Sequence, residues 1–240
     1  MAGVGDPAPA GDRGVAAVTN ATAETVASRL ADVRRRIEEV GGDPESIRIV
    51  AVTKGWGPGV VEAALAAGLP DVGENYAQEL LPKAAATTGS LRWHFLGPVQ
   101  RNKVRRLGPL VTAWHGVDRA AAADALAAAS PGVEVLVQVN LTGEPGRPGC
   151  RPEDVDALVE HCRRRPVSLT GLMTVAPAGN PGRARETFSW LSGRARQLEL
   201  RELSMGMSDD FEVAVEEGAT TLRLGRVLFG PRPRQRTVPR

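Results

Sequence analysis

The chain has 240 residues, of which 42% are hydrophobic, and carries 30 Lys and Arg against 28 Asp and Glu for a net charge of +2. That balance excludes a dedicated nucleic-acid binder with a concentrated basic face, and no apolar stretch is long enough to span a membrane. The two cysteines, Cys150 and Cys162, lack Cys-x-x-Cys spacing, so the expected setting is a reducing, cytoplasmic one. Residues 1–20 are rich in Gly, Ala, Pro and Val without a basic n-region and long apolar core, and read as a disordered tail rather than a secretory signal. A first helix follows, marked by the stripe Val26, Leu30, Val33, Ile37 and Val40 and ended by Gly41-Gly42. Strands are then expected at Ile47–Thr53, Asp71–Gly73, Arg92–Leu96, Ala113–Val117, Val133–Asn140, Ser168–Val175, Glu202–Met205 and Thr220–Leu224. Helices are expected between them at Pro58–Ala67, Ala77–Ala86, Gln100–Leu107, Arg119–Ala129, Pro152–Arg164, Gly182–Leu198 and Asp210–Glu217. Residues 231–240, with three prolines and four arginines, read as a flexible basic tail.

Strict strand–helix alternation implies parallel pairing with right-handed crossovers. Eight such units across residues 21–230 predict an α/β fold, a single (β/α)8 TIM-type barrel with an extra N-terminal helix. No Gly-x-Gly-x-x-Gly follows the first strand, which weakens a dinucleotide-binding alternative.

Barrel function resides at the C-terminal strand ends. There the chain places Lys54, Asn75, Asn140, Met173, Ser204 to Ser208 and Arg223 to Arg226, and no His/Asp/Glu cluster at metal-ligand spacing. Of the 30 basic residues only Lys54, Lys83 and Lys103 are lysines. Lys54 ends an apolar strand, where desolvation lowers an amine's pKa and makes it nucleophilic toward carbonyls; arginine cannot do this. The bland alternative is a lysine that snorkels into water. Gly206-Met207-Ser208 and Gly225-Arg226, after strands seven and eight, suit a phosphate. Asp209 and Asp210 would repel it unless they serve their own helix start, of which Ser208 could be the N-cap. An amine and a phosphate cradle in one mouth suggest a phosphorylated aldehyde such as pyridoxal 5′-phosphate (PLP), with Arg223 near the pyridine ring.

The segments Ala51-Val52-Thr53-Lys54, Gly73-Glu74-Asn75-Tyr76, His94-Phe95-Leu96-Gly97-Pro98-Val99-Gln100-Arg101-Asn102-Lys103, Val137-Gln138-Val139-Asn140, Gly171-Leu172-Met173, Leu203-Ser204-Met205-Gly206-Met207-Ser208 and Arg223-Leu224-Gly225 together resemble the pyridoxal phosphate homeostasis protein family from about Val26 to Gly230. The resemblance implies a fold like the N-terminal barrel of alanine racemase and PLP held as a Schiff base on Lys54. It implies that Ser204, Ser208, Gly225 and Arg226 surround the phosphate, that Arg223 faces the pyridine nitrogen, and that Asn75 and His94 line the pocket. The Gly- and Pro-rich loop from Leu141 to Cys150 is expected to stand clear of the cofactor. The family's described role is PLP, vitamin B6 and amino-acid homeostasis without established turnover, with PLP-dependent apoenzymes as conceivable partners. The runner-up is a weak PLP-dependent racemase, and a Schiff-base aldolase acting on a sugar phosphate is a third reading. Racemase relatives supply a tyrosine base from a second domain that this sequence lacks after the barrel, which favours a carrier and a monomer.

Overall fold

The computed structural model describes residues 21–232; the proposed tail at 1–20 and nearly all of that at 231–240 lie outside the described residues. The eight strands are β1 (Arg48–Val52), β2 (Asp71–Glu74), β3 (Arg92–Phe95), β4 (Val111–Val117), β5 (Glu134–Val139), β6 (Ser168–Thr174), β7 (Glu202–Ser204) and β8 (Thr221–Leu224). All pair in parallel and in chain order, and β8 returns to β1, so the sheet closes into a barrel. The helices are α1 (Ala23–Glu39), α2 (Gly59–Ala66), α3 (Ala77–Ala86), α4 (Arg101–Leu107), α5 (Ala120–Ala129), α6 (Val155–Arg163), α7 (Pro181–Gln197), α8 (Phe211–Glu216) and α9 (Arg226–Phe229). The expected (β/α)8 barrel with an extra first helix is therefore the observed architecture. Two details differ. Pro152 starts a 3-10 turn ahead of α6 rather than the helix itself, and the short α9, too brief for any periodicity to show, follows β8. No described helix is long and apolar enough to cross a membrane.

α1 covers the seam where β8 meets β1. Its buried stripe of Val26, Leu30, Val33 and Ile37 faces the core. Thr22 caps its start by accepting from the Thr25 amide at 3.2 Å, and Arg36 lies 4.5 Å from the Phe211 ring while donating to Glu212. Trp56 packs edge-on against Phe229 at 6.0 Å within the core, so it fills space beneath the mouth. Trp190 of α7 is one of the more exposed large apolar side chains. At Gly171 a β-carbon would lie 1.9 Å from the Glu202 carbonyl oxygen, so only glycine lets β6 and β7 approach this closely.

The barrel interior is polar along one line. Asp71 on β2 accepts from Arg92 Nε at 2.7 Å and from His94 Nε2 at 2.9 Å. His94 Nδ1 meets His115 Nε2 at 2.9 Å, His115 Nδ1 meets Ser204 Oγ at 2.8 Å, and Arg223 donates to Ser204 Oγ at 2.7 Å. The chain crosses from β2 to β8 through side chains that are almost wholly buried. One assignment of protons gives every linking atom a partner. An ionised Asp71 can only accept, so His94 Nε2 donates to it. Ser204 accepts from Arg223 and gives its own proton to His115, and His115 Nε2–H donates to His94. Burial, then the nearby His94 and Arg223, hold His115 well below the usual imidazole range, in keeping with a neutral ring.

A second buried group lies under the end of β1. Lys83 of α3 is only 3% exposed; it donates to the Thr53 carbonyl at 2.7 Å and pairs with the fully buried Glu74. Thr53 Oγ1 also donates to Glu74 at 2.7 Å, and Glu79 accepts from the Gly55 amide at 2.6 Å. Both residues flanking Lys54 are thus tied down by backbone bonds to this group. Lys83 is thereby a structural brace.

Two outcomes are expected. Lys83→Met strands the Glu74 carboxylate and should cost about 3–5 kcal/mol in urea unfolding, with Lys83→Met/Glu74→Leu regaining part of the loss; a single variant as stable as the parent would show the pair to be dispensable. Burial pushes the Asp71 carboxyl up, but hydrogen bonds from His94 and Arg92 outweigh it and bring the pKa down to about 2. A depressed pKa contributes stability that is present above the unfolded value and lost as pH falls through the folded one. Asp71→Asn should therefore cost no more than about 2 kcal/mol at neutral pH, since Arg92 is half exposed and screened. The gap between variant and parent should close as pH drops from about 4 to about 2, read from urea midpoints across that range.

Candidate functional site

The strand ends open on a cavity of about 400 Å³ lined by Lys54 of the β1 end, Asn75 after β2, Leu96 to Pro98 after β3, Gln138 and Asn140 at β5, Met173 and Val175 at β6, Met207 to Asp209 after β7, and Arg223, Gly225 and Arg226 at β8. The volume falls in the range of small-molecule sites. Six of the eight sequence-predicted residues meet here: Lys54, Asn75, Ser208, Arg223, Gly225 and Arg226. His94 and Ser204 do not. Both are buried beneath the cavity, their polar atoms taken up by the chain from Asp71 to Arg223. A strand's alternating side chains explain this: Ser204 lies within β7, where it points into the barrel, while Ser208 lies beyond the strand in the loop that forms the rim.

Lys54 is part-buried, and its pKa is lowered, first by desolvation and then by the charges of Arg232 and Arg223, against smaller opposing contributions from Glu74 and Glu79. Arg223 is fully enclosed; burial brings its guanidinium down to about 10, with Asp210 opposing. Two of its N–H groups go to Ser204 and to the Thr174 carbonyl at 2.7 Å each, which leaves further donors for the cavity.

The β7–α8 loop is shaped by Gly206, whose φ of +87° and close approach to Ala214 and Leu222 exclude a side chain. Ser208 Oγ accepts from the Val227 amide at 3.1 Å and keeps its own proton to donate. The two acidic residues are each engaged by a partner. Asp210 accepts from the Met207 amide at 2.6 Å, and its carboxyl is raised by burial. Asp209 is paired with Arg226 at the surface. At Gly225 a β-carbon would sit 3.2 Å from the Val52 carbonyl, so glycine keeps β1 and β8 close at the rim.

Three features were not legible as site residues. Arg232, placed by sequence in the basic tail, lines the cavity, and its Cδ lies 3.1 Å from where a Gly55 β-carbon would be. Arg147 and Pro148 reach the wall from the loop expected to stand clear of the cofactor. That loop folds back because Asn140 Nδ2 donates to the Glu144 and Arg147 carbonyls and Gln138 Nε2 donates to Pro148. Its dense glycine and proline was the available signal, since such composition also builds tight functional loops. Asn75 Oδ1 and Gln138 Oε1 are buried acceptors without a protein partner, a condition that favours a ligand or water donor at the cavity. Among the described residues no group of three or more His, Cys, Asp or Glu could hold a metal ion.

The sequence pattern of the family described as alanine racemase, N-terminal domain, matches residues 26–233. The pyridoxal phosphate homeostasis protein of Pseudomonas aeruginosa is 41% identical over 220 residues, covering 88% of this chain and 95% of that protein. The protein of the same name from Deinococcus radiodurans is 38% identical over 210 residues, covering 85% and 99%. Among solved structures, PipY of Synechococcus elongatus with PLP bound superposes with a TM-score of 0.76 at 33% identity, over 85% of this chain and all of that one. The chain belongs to the pyridoxal phosphate homeostasis protein family, built on the alanine racemase N-terminal barrel.

Proposed function

We propose that this chain binds PLP covalently through Lys54 and acts in intracellular PLP and amino-acid homeostasis as a holder of the cofactor. The observation that carries the reading is one cavity with an amine whose proton is loosely held and, beside it on β7 and β8, a group of anion donors. A phosphorylated aldehyde requires both. When bound, PLP supplies an aldehyde carbon conjugated to an electron-withdrawing ring.

Lys54 contributes the nucleophile. A lowered pKa raises its free-base fraction at neutral pH, and the free base is the form that would condense with the aldehyde of bound PLP, with loss of water. Ser208, the Gly225 backbone and Arg226 are the groups for the phosphate, and the carboxylate of Asp209 is neutralised there by Arg226. Arg223 is the candidate partner of the ring nitrogen. A guanidinium only donates and stays charged, so it disfavours a proton on that nitrogen and weakens the ring as an electron sink. Ser204 and His94 act at one remove, by fixing Arg223 through the buried chain.

The cavity wall favours holding over turnover. Among the described lining residues there is no His, Tyr or Cys to move a proton opposite Lys54, and Asp209 is engaged by Arg226. An arginine beside the ring also separates this reading from a sugar-phosphate aldolase. We place the protein in the cytoplasm. Cys150 and Cys162 are free, and burial pushes their thiols up to about 12 and about 11, which suits a reducing compartment and makes neither reactive.

Added PLP should give the purified protein a visible absorbance band. Borohydride should then fix the cofactor's mass on the peptide containing Lys54, and Lys54→Ala should lose the band while keeping its circular dichroism. A label on the Lys83 or Lys103 peptide would overturn the assignment, as would saturable interconversion of D- and L-alanine or serine for the holding role.

A further inference from the structure

We propose that the face formed by α3 and α4, beside the mouth, is a docking surface for an acidic segment of a partner protein that also carries an apolar side chain. α4 reads Arg-Asn-Lys-Val-Arg-Arg-Leu: four cations in seven residues, with no acid in its first turn. Arg101, Arg105 and Arg106 are exposed and Lys103 is part-buried. Among the described residues none of the four has a carboxylate within salt-bridge distance. On α1 and α7, Arg35, Arg185 and Arg194 are paired while, among the described residues, Arg34, Arg183 and Arg196 are not. Both of those helices carry acidic residues, however; among the described helices only α4 combines four cations with no acid.

Folding does not account for this arrangement. Arg101 and Lys103 sit at the positive end of the helix dipole, where cations are unfavourable. Arg101 and Arg105 are like charges one turn apart, which repel. Arg105 and Arg106, in the last turn, suit the dipole. But a short helix with four cations, two of them at its unfavourable end, and no acid of its own, in a chain of net charge +2, points to an anionic neighbour that the chain itself does not supply.

The groove beside these cations gives the partner's other half. It measures about 270 Å³ and is lined by Ala77, Gln78, Leu81 and Pro82 of α3 with Lys103 and Arg106 of α4. Pro82 lies inside α3 and has no N–H to give the Gln78 carbonyl one turn back, so a backbone acceptor is released on the groove's own wall. Apolar floor, free acceptor and flanking cations together fit a peptide segment better than a polyanion backbone, which needs only charge. Tyr76, 52% exposed, immediately precedes α3 at the mouth end, and Leu110, 38% exposed, follows α4 at the other. Large aromatic and apolar side chains at the ends of a cationic face are the anchors such an interface uses.

The position is functional as well as chemical. Asn75 and the Leu96–Pro98 loop, which line the cavity, lead directly into α3 and α4. A partner seated here would stand beside the opening. The docking surface is independent of the cofactor reading; its use as a route for handing PLP to an apoenzyme rests on that reading.

The test uses the full chain without added PLP and a fluorescein-labelled peptide, Glu-Glu-Leu-Glu-Glu-Phe-Glu-Glu, followed by anisotropy at low and physiological salt. Binding should be salt-sensitive. Replacing Arg101, Lys103, Arg105 and Arg106 together by Glu should weaken it at least about tenfold. The charge-matched control, with Arg34, Arg183, Arg196 and Arg201 replaced by Glu, should bind as the parent does. Tyr76→Ala/Leu81→Ala should weaken binding with the salt dependence retained. Equal loss in the charge-matched control would reduce the effect to net charge and overturn the site. So would undiminished binding of a peptide with Leu and Phe replaced by Ser, or tighter binding of a DNA duplex or of phosphatidylserine-containing vesicles than of the peptide. Since no PLP is present, failure here would leave the Lys54 assignment standing, and failure of the borohydride mapping would leave the docking result standing.

Discussion

A guanidinium enclosed in the middle of a parallel barrel has to be compensated, and much of this protein's interior follows from Arg223. Desolvation disfavours its charge, and among the described residues no carboxylate is within salt-bridge distance of it. Neutral acceptors do the work instead: the Thr174 carbonyl and the Ser204 hydroxyl. Ser204 can serve only if its own proton has somewhere to go, which His115 provides, and His115 in turn needs His94. The first carboxylate on the line is Asp71, at the start of β2, where Arg92 shares it. The opposite charges at the two ends are thus separated by three hydrogen-bonding side chains, His94, His115 and Ser204. Such a chain is worth keeping only when complete, because any one missing partner strands a buried polar atom.

The same arrangement sets the field at Lys54. Had a carboxylate neutralised Arg223 directly, the mouth would have been less positive and the amine would have held its proton more firmly. With Arg223 solvated by neutral groups and Arg232 brought across Gly55, two positive charges act on Lys54, while Glu74 and Glu79 act in the other direction from below. Glu74 is largely spoken for by Lys83, so its pull on Lys54 is reduced. The brace under β1 therefore has an electrostatic consequence beyond fixing the backbone: it shields the Lys54 amine from the fully buried Glu74 carboxylate.

The sequence displayed the barrel clearly because β1, β4 and β5 are largely apolar runs and strand patterns alternate strictly with helix patterns, and such local order survives closure. Lys54, Ser208 and Arg223 were legible because strand ends converge by topology alone. What stayed hidden was contact between elements distant in sequence. Nothing near Lys83 in the chain marks it as buried; its partner Glu74 lies nine residues back on another element. His94 and His115 stand one on each of two neighbouring strands, and only their register makes them a pair. Ser204 and Ser208 look equivalent in Leu-Ser-Met-Gly-Met-Ser, yet one ends within a strand and the other lies past a glycine with positive φ, so one turns inward and the other reaches the rim. Arg147 and Arg232 reach the cavity through chain reversals that composition suggests without locating.

These contacts also explain the division of labour among three lysines in a chain otherwise supplied with arginine. Lys83 donates to Thr53, Glu74 and Glu79 at once, which suits a compact ammonium with three donors around a single atom; a flat guanidinium would need a wider niche than the buried space between α3 and β2 affords. That engagement also keeps its amine from the cavity, so only one lysine of the mouth region is available to an aldehyde. Lys54 has to give up its proton to react, which arginine cannot do at neutral pH. Lys103 meets neither condition: it is a cation on a cationic helix, where arginine would serve. The two lysines that chemistry requires thus flank one strand end in different settings, one engaged by Thr53, Glu74 and Glu79 and the other with its pKa lowered by burial and then by two arginines. Their separation by a single strand end, Thr53, is what allows one short segment to carry both.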